Sequence, residues 1–161
     1  MPLPSPGIED RDLLEHFLDV QRAALAMSLD GLREEEARSR LVPSLTTALG
    51  LVKHAAVVER VWFHSRVGGI PRAQLGLPDD LDASFLVGPA DTIDGVRNDF
   101  LAACAHSRHV SAAHSLEASF PWRGAPVSLR FIYLHMTAEL ARHAGHADIL
   151  VEQLTSRRRA P

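Results

Sequence analysis

The stretch Leu129–Leu154, LRFIYLHMTAELARHAGHADILVEQL, constrains the fold more than any other. Its apolar residues recur at three- and four-residue intervals, the period of an amphipathic helix. The inward positions are Leu129, Ile132, Met136, Glu139, His143, Ala147, Leu150 and Leu154. All but two suit a core. Glu139 and His143 do not, and their i,i+4 spacing puts them on one face, on adjacent turns. A carboxylate and an imidazole set together in an apolar stripe must share a partner.

The remaining chain predicts three more helices to cover this one. From Glu9 to about Leu29, Leu13, Leu14, Phe17, Leu18, Ala24 and Leu25 keep helical spacing. Asp30–Pro43 reads as a connection with one helical turn at Arg33–Ala37. Ser44, directly after Pro43, is the expected N-cap of a second helix from Leu45 to Arg66, stopped by Gly68 and Gly69. One face of that helix carries Leu51, His54, Val58, Val61 and Trp62, so His54 interrupts an apolar stripe as Glu139 and His143 interrupt theirs. Lys53, Glu59 and Arg60 fall on other faces. Asp91 or Thr92 caps a third helix, to about Ser115, with Ile93, Val96, Phe100, Ala103, Ser107 and Val110 inward. Ser128 caps the fourth, and Arg157–Arg159 suit the dipole at its end.

Residues 1–7, with three prolines, predict an irregular lead-in. Residues 67–90 and 117–127 are irregular connections, and loops this long in a small domain are often functional. No stretch alternates with period two for long enough to predict a sheet. The expectation is an all-α protein: a four-helix bundle with long connections, one domain over residues 1–161, its core at about 10–155.

Composition excludes several function classes. No apolar run reaches the eighteen or so residues of a membrane span. The net charge of -3 gives no electrostatic basis for binding nucleic acid. The N-terminus has neither a basic nor an apolar signal region, which predicts a cytoplasmic protein. Cys104 is the only cysteine, so an internal disulfide and a multi-cysteine zinc site are ruled out, and it reads as a packed helix residue. Lys53 is the only lysine among 17 basic residues, and with abundant alanine this points to a GC-rich, bacterial genome.

If the second and fourth helices face one core, His54, Glu139 and His143 converge. Two imidazoles and a carboxylate leave open coordination positions, the pattern of catalytic rather than structural zinc. Iron, nickel and manganese accept the same set. The bland alternative is a hydrogen-bonded core histidine beside an ordinary i,i+4 ion pair. His135, one turn before Glu139, is an alternative ligand. His146, on the turn after His143, is a ligand or a group that orients one. His64, His106, His109 and His114 lie on less apolar faces and are expected in solvent, as are the charge runs at Arg33–Glu36 and Arg157–Arg159. No phosphate loop, nucleophile elbow or dinucleotide fingerprint is present.

Two segments, SLTTALGLVKHAAVVERVWF and HMTAELARHAGHADILVEQL, carry a resemblance to the DinB-like superfamily of metal-binding four-helix bundles. Its members have a histidine in helix two and an (H/E)-x-x-x-H pair in the last helix, which correspond to His54, Glu139 and His143. Many relatives follow the last ligand with a small residue, Gly and Gln. Ala144, Gly145 and His146 stand there, which makes His146 look like a supporting group. The glutamate variant is similar to the mycothiol-dependent maleylpyruvate isomerase branch, which uses zinc. The resemblance implies metal-assisted chemistry on a low-molecular-weight thiol such as mycothiol, of the S-transferase or isomerase type, with an electrophile as second substrate. Segments 67–90 and 117–127 would then shape the entrance to the site. The competing expectations are a non-catalytic, stress-related metal- or small-ligand-binding bundle and a structural dimer. A homodimer suits a bundle of this size.

Overall fold

The computed structural model describes residues 7–159, the side chains of Leu81 and Arg159 excepted. Apart from Gly7, the expected proline-rich lead-in lies outside them. Helix α1 spans Asp10–Met27 and a single turn, α2, follows at Glu34–Ala37. Helix α3, Ala48–Glu59, passes directly into a π-helical segment, Arg60–Val67. A 3-10 turn at Leu81–Phe85 precedes α4, Ile93–Ala112. Two short strands, β1 (Ser119–Trp122) and β2 (Ala125–Ser128), lead into α5, Leu129–Arg159. The long helices form the bundle: α1 packs mainly on α5 and α3 on α4, while α3 also meets α5. None of the described helices is long and apolar enough to cross a membrane.

Capping chemistry sets where the helices begin. Thr47, not Ser44, caps α3. Its backbone is extended and its hydroxyl accepts from Gly50 N–H at 2.9 Å, at the third helical position. The Ser44 hydroxyl is turned instead toward Thr46. Thr92, one of the two expected caps, accepts from Gly95 N–H, and Ser128 accepts from Phe131 N–H at 3.2 Å.

Residues 119–128 correct the expectation of an irregular connection. They form an antiparallel hairpin with Ser119 opposite Ser128 and Trp122 opposite Ala125. Arg123 and Gly124 make its turn, both at positive φ (42° and 84°), as the twist-matched two-residue hairpin turn requires. Strands of four residues are too short to register as alternation.

Helix α3 also departs from the one-stripe expectation. Of Ala48–Glu59, only Lys53 and Val57 are not buried. A helix covered nearly all round is a central one, and Glu59 is therefore inside. It is fully buried and takes Arg22 Nε and Nη2 on its two oxygens, each at 2.8 Å. Burial works against the Arg22 charge, but the attraction and hydrogen bonds of Glu59 outweigh it and raise its pKa. Of the two charge runs expected in solvent, Arg33–Glu35 and Arg157–Arg158 are exposed, and Glu36 is the exception. Glu36 is buried and ion-paired to Arg33 and Arg158, which ties the end of α5 to α2.

Candidate metal centre

Helix α3 brings His54, and α5 brings Glu139 and His143, to one point. One nitrogen or oxygen from each lies within 4.8 Å of the others, and among the described residues this is the one such trio of His, Cys, Asp or Glu. Glu139 Oε1 is 3.1 Å from His143 Nε2 and 3.9 Å from His54 Nε2. Atoms bound to one ion at about 2.1 Å lie roughly 3–4 Å apart, so the trio needs shifts below about 1 Å to share one. The imidazoles are buried, 5% exposed for His54 and 7% for His143. The carboxylate is less enclosed, its side chain 20% exposed, and Arg142 reaches its Oε2 at 3.2 Å.

The electrostatics favour an anionic carboxylate. The hydrogen bond from His143, and then the nearby His54 imidazole, hold Glu139 well below the ordinary carboxylate range, against the opposing effect of burial. His143 Nδ1 is buried with no partner among the described residues. His54 is oriented from behind. Its Nδ1 is 2.6 Å from Ser84 Oγ, which leaves Nε2 on the side of Glu139. The Phe85 ring stacks on the imidazole at 4.0 Å and 12°. Outer partners of this kind fix ring orientation in metal sites.

Gly50 makes this support possible. It lies one turn before His54, and a Cβ there would stand 2.5 Å from the Phe85 carbonyl oxygen. Only a residue without a side chain lets the 81–85 turn rest on α3 so closely. Ser84, Phe85 and Gly50 were invisible as site residues in the sequence. Asp80, which accepts from Asp82 N–H at 2.9 Å, signals a turn, but nothing local says which helix the turn touches.

The alternative ligands stand apart from the trio. His135 packs between rings, 4.3 Å from Trp62 and stacked on Phe131 at 5.9 Å. Burial lowers its pKa, the charge of Glu139 opposes this, and Arg66 and Arg142 add to the lowering. His146 is exposed, its ring 6.0 Å from that of His143. It lines a cleft of about 250 Å3 with Val42, Ser44, Thr46, Ile149 and Leu150. A second cleft, about 280 Å3, shares Ser44 and Thr46 and reaches Phe85. The turn from 67–90 and the hairpin from 117–127 both touch the surroundings of the trio, the first through Ser84 and Phe85, the second through Trp122 beside Trp62 and His135.

His64 corrects the sequence reading. It is buried, and its Nε2–H donates to the Ala103 carbonyl at 3.0 Å. His106 and His109 are exposed as expected, and His114 is half-buried. Cys104 is packed in the core, with burial and then Glu59 pushing its thiol far above the ordinary range, so it offers no nucleophile.

A family model described as Mycothiol-S-transferase matches residues 13–156. A comparison with curated proteins finds no match. The family match spans every long helix, the hairpin and all three members of the trio. The chain therefore belongs to the mycothiol S-transferase family, within the DinB-like superfamily.

Proposed function

We propose that the protein is a metal-dependent S-transferase that uses mycothiol, with His54, Glu139 and His143 holding one divalent cation, zinc by preference. The observation that supports this reading is the convergence of two imidazole nitrogens and one carboxylate oxygen within 4.8 Å in a chain of this family. Two neutral imidazoles and one carboxylate offset half the charge of a divalent ion and leave positions open to a ligand. The chemistry such an ion supplies is Lewis acidity, which lowers the pKa of a thiol presented to it. The same ligand set suits nickel, iron or manganese.

The residues of the chain divide the work. Ser84 and Phe85 hold the His54 ring in one orientation. Arg142 engages Glu139 Oε2, which keeps Oε1 turned to the imidazoles. The clefts along Ser44 and Thr46 offer apolar walls for a substrate next to the site. With the thiol arriving as a substrate, the inert Cys104 has no part in the reaction.

Elemental analysis of purified protein tests the ligand set. Wild type is expected to carry a stoichiometric divalent ion, and His143→Ala to lose it with helix content intact by circular dichroism. Unchanged metal content in the variant would refute the assignment. Mycothiol consumption with a panel of electrophiles tests catalysis. Metal-loaded protein that turns over none of them belongs to the non-catalytic binding reading.

A further inference from the structure

A second feature lies one helical turn from Glu139, around His135. Trp62, from the π-helical segment, stands 4.3 Å from the His135 ring and 5.7 Å from the ring of Trp122 on the hairpin. Each indole carries a cation on its face. The Arg66 guanidinium lies 4.0 Å from the Trp62 centroid, and that of Arg123 lies 5.3 Å from the Trp122 centroid. Most other arginines of the chain meet a carboxylate, as Arg22, Arg60, Arg97, Arg108, Arg130 and Arg158 do. Among the described residues Arg66 and Arg123 do not. Arg66 gives its Nε to the Pro121 carbonyl at 3.0 Å, and its Nη1 is shielded from solvent with no acceptor among the described residues. Arg123 sits exposed at the left-handed first position of the hairpin turn. A cleft of about 310 Å3 runs along the hairpin, its lining including Pro121, whose carbonyl accepts from Arg66, and Trp122, whose ring carries Arg123. That volume suits a small molecule.

We propose that Arg66 and Arg123, beside the Trp122 ring, form a subsite for a planar, carboxylate-bearing electrophile, the anion held by the guanidinium groups and the flat body along the hairpin cleft. The proposal rests on the mycothiol-transferase reading, because mycothiol itself carries no acid group and the anion then belongs to the second substrate. Guanidinium groups favour carboxylates through planar, charge-assisted hydrogen bonds. Burial lowers the pKa of Arg66, and repulsion from Arg72 and Arg123 adds to it, so an anion placed beside Arg66 would favour its charged form.

Trp62 and Trp122 are the only two tryptophans, so intrinsic emission reports on this place alone. The zinc-loaded full chain is titrated with benzoate and with neutral, near-isosteric benzamide. Benzoate is expected to give a saturable emission change. Affinity is expected to fall about tenfold or more for benzamide, and for benzoate with Arg123→Gln, and Arg123→Lys is expected to restore much of the loss. Arg66→Gln is expected to behave as Arg123→Gln does. Because it also strips the face of Trp62, the Arg123 pair decides if that variant misfolds. No saturable change with benzoate, equal affinity for benzamide, or unaltered affinity in Arg123→Gln overturns the subsite.

A kinetic arm then compares mycothiol conjugation of 4-chloro-3-nitrobenzoate and its amide. The thiolate sulfur bonds to the chlorine-bearing carbon, chloride leaves with the electron pair of the C–Cl bond, and the thiol proton passes to buffer. The acid-to-amide ratio of kcat/KM is expected to fall about tenfold in Arg123→Gln, and an unchanged ratio overturns the proposal. If wild type turns over neither these compounds nor any other electrophile of the panel, the transferase reading fails, and the emission titration still decides the subsite.

Discussion

Gly50→Ala sets two effects of known size against each other. In the first turn of a helix, replacing glycine by alanine gains at most about 1 kcal/mol of helix propensity. The added Cβ would stand 2.5 Å from the Phe85 carbonyl oxygen and 3.0 Å from Thr47 Oγ1. Ordinary contact begins at 3.4 Å, so the shortfall at Phe85 is 3.4 − 2.5 = 0.9 Å. The obstructing atom is backbone, and relief requires the whole 81–85 turn to move. Overpacking of this kind costs about 1–3 kcal/mol. It cancels or exceeds the propensity gain, and the net expectation is a loss of roughly 0–2 kcal/mol. The functional effect should be larger. A shift of 0.9 Å stretches the 2.6 Å contact of His54 Nδ1 with Ser84 toward the limit of a hydrogen bond and loosens the Phe85 stack. Loss of such outer support lowers metal affinity about 10–100-fold. Urea unfolding followed by circular dichroism measures the first quantity, and zinc competition against a chromophoric chelator the second. A variant stabilised by about 1 kcal/mol with wild-type zinc affinity would show the contact to be unimportant and refute the reasoning.

Two further outcomes follow from the buried charges. Arg22→Met leaves the fully buried Glu59 carboxylate without its bidentate partner and should cost about 3–5 kcal/mol in urea unfolding. Adding Glu59→Leu should restore most of it, and a double variant as unstable as the single one would contradict that account. In metal-free protein, Glu139 is depressed below its ordinary value of 4.5, through the hydrogen bond from His143 and then the nearby His54 imidazole. A depressed carboxylate contributes stability that is complete above its unfolded pKa and is lost as pH falls through its folded value. Wild type should therefore lose stability more steeply than Glu139→Gln as pH drops below 4.5, and parallel acid limbs would rule the linkage out.

The trio was legible because its cause is local. A helix repeats every 3.6 residues, so Glu139 and His143 share a face whatever surrounds them, and His54 stands out in the second apolar stripe by the same logic. The caps at Thr92 and Ser128 are equally local, since a side chain reaches only a few residues along the backbone. Where competing local signals existed, sequence chose wrongly: Ser44 follows a proline, but Thr47 holds the cap.

The rest depends on distances between elements far apart in the chain. Stripe counting assigns one inner face to each helix, so it could not place Glu59 inside, because it could not know that α3 is covered on nearly every side. Nor could it know that a turn thirty residues beyond His54 lies back on that helix, over the one glycine that permits it. The sequence alone determined the four helices and the apolar faces on which His54, Glu139 and His143 stand, because periodicity and side-chain chemistry are written in near neighbours. Tertiary packing alone decided that Ser84 and Phe85 brace His54, that Arg22 enters the core to meet Glu59, and that two arginines come to rest on two tryptophans. Those contacts arise from how whole elements fill space against one another, and no short stretch of sequence carries that information.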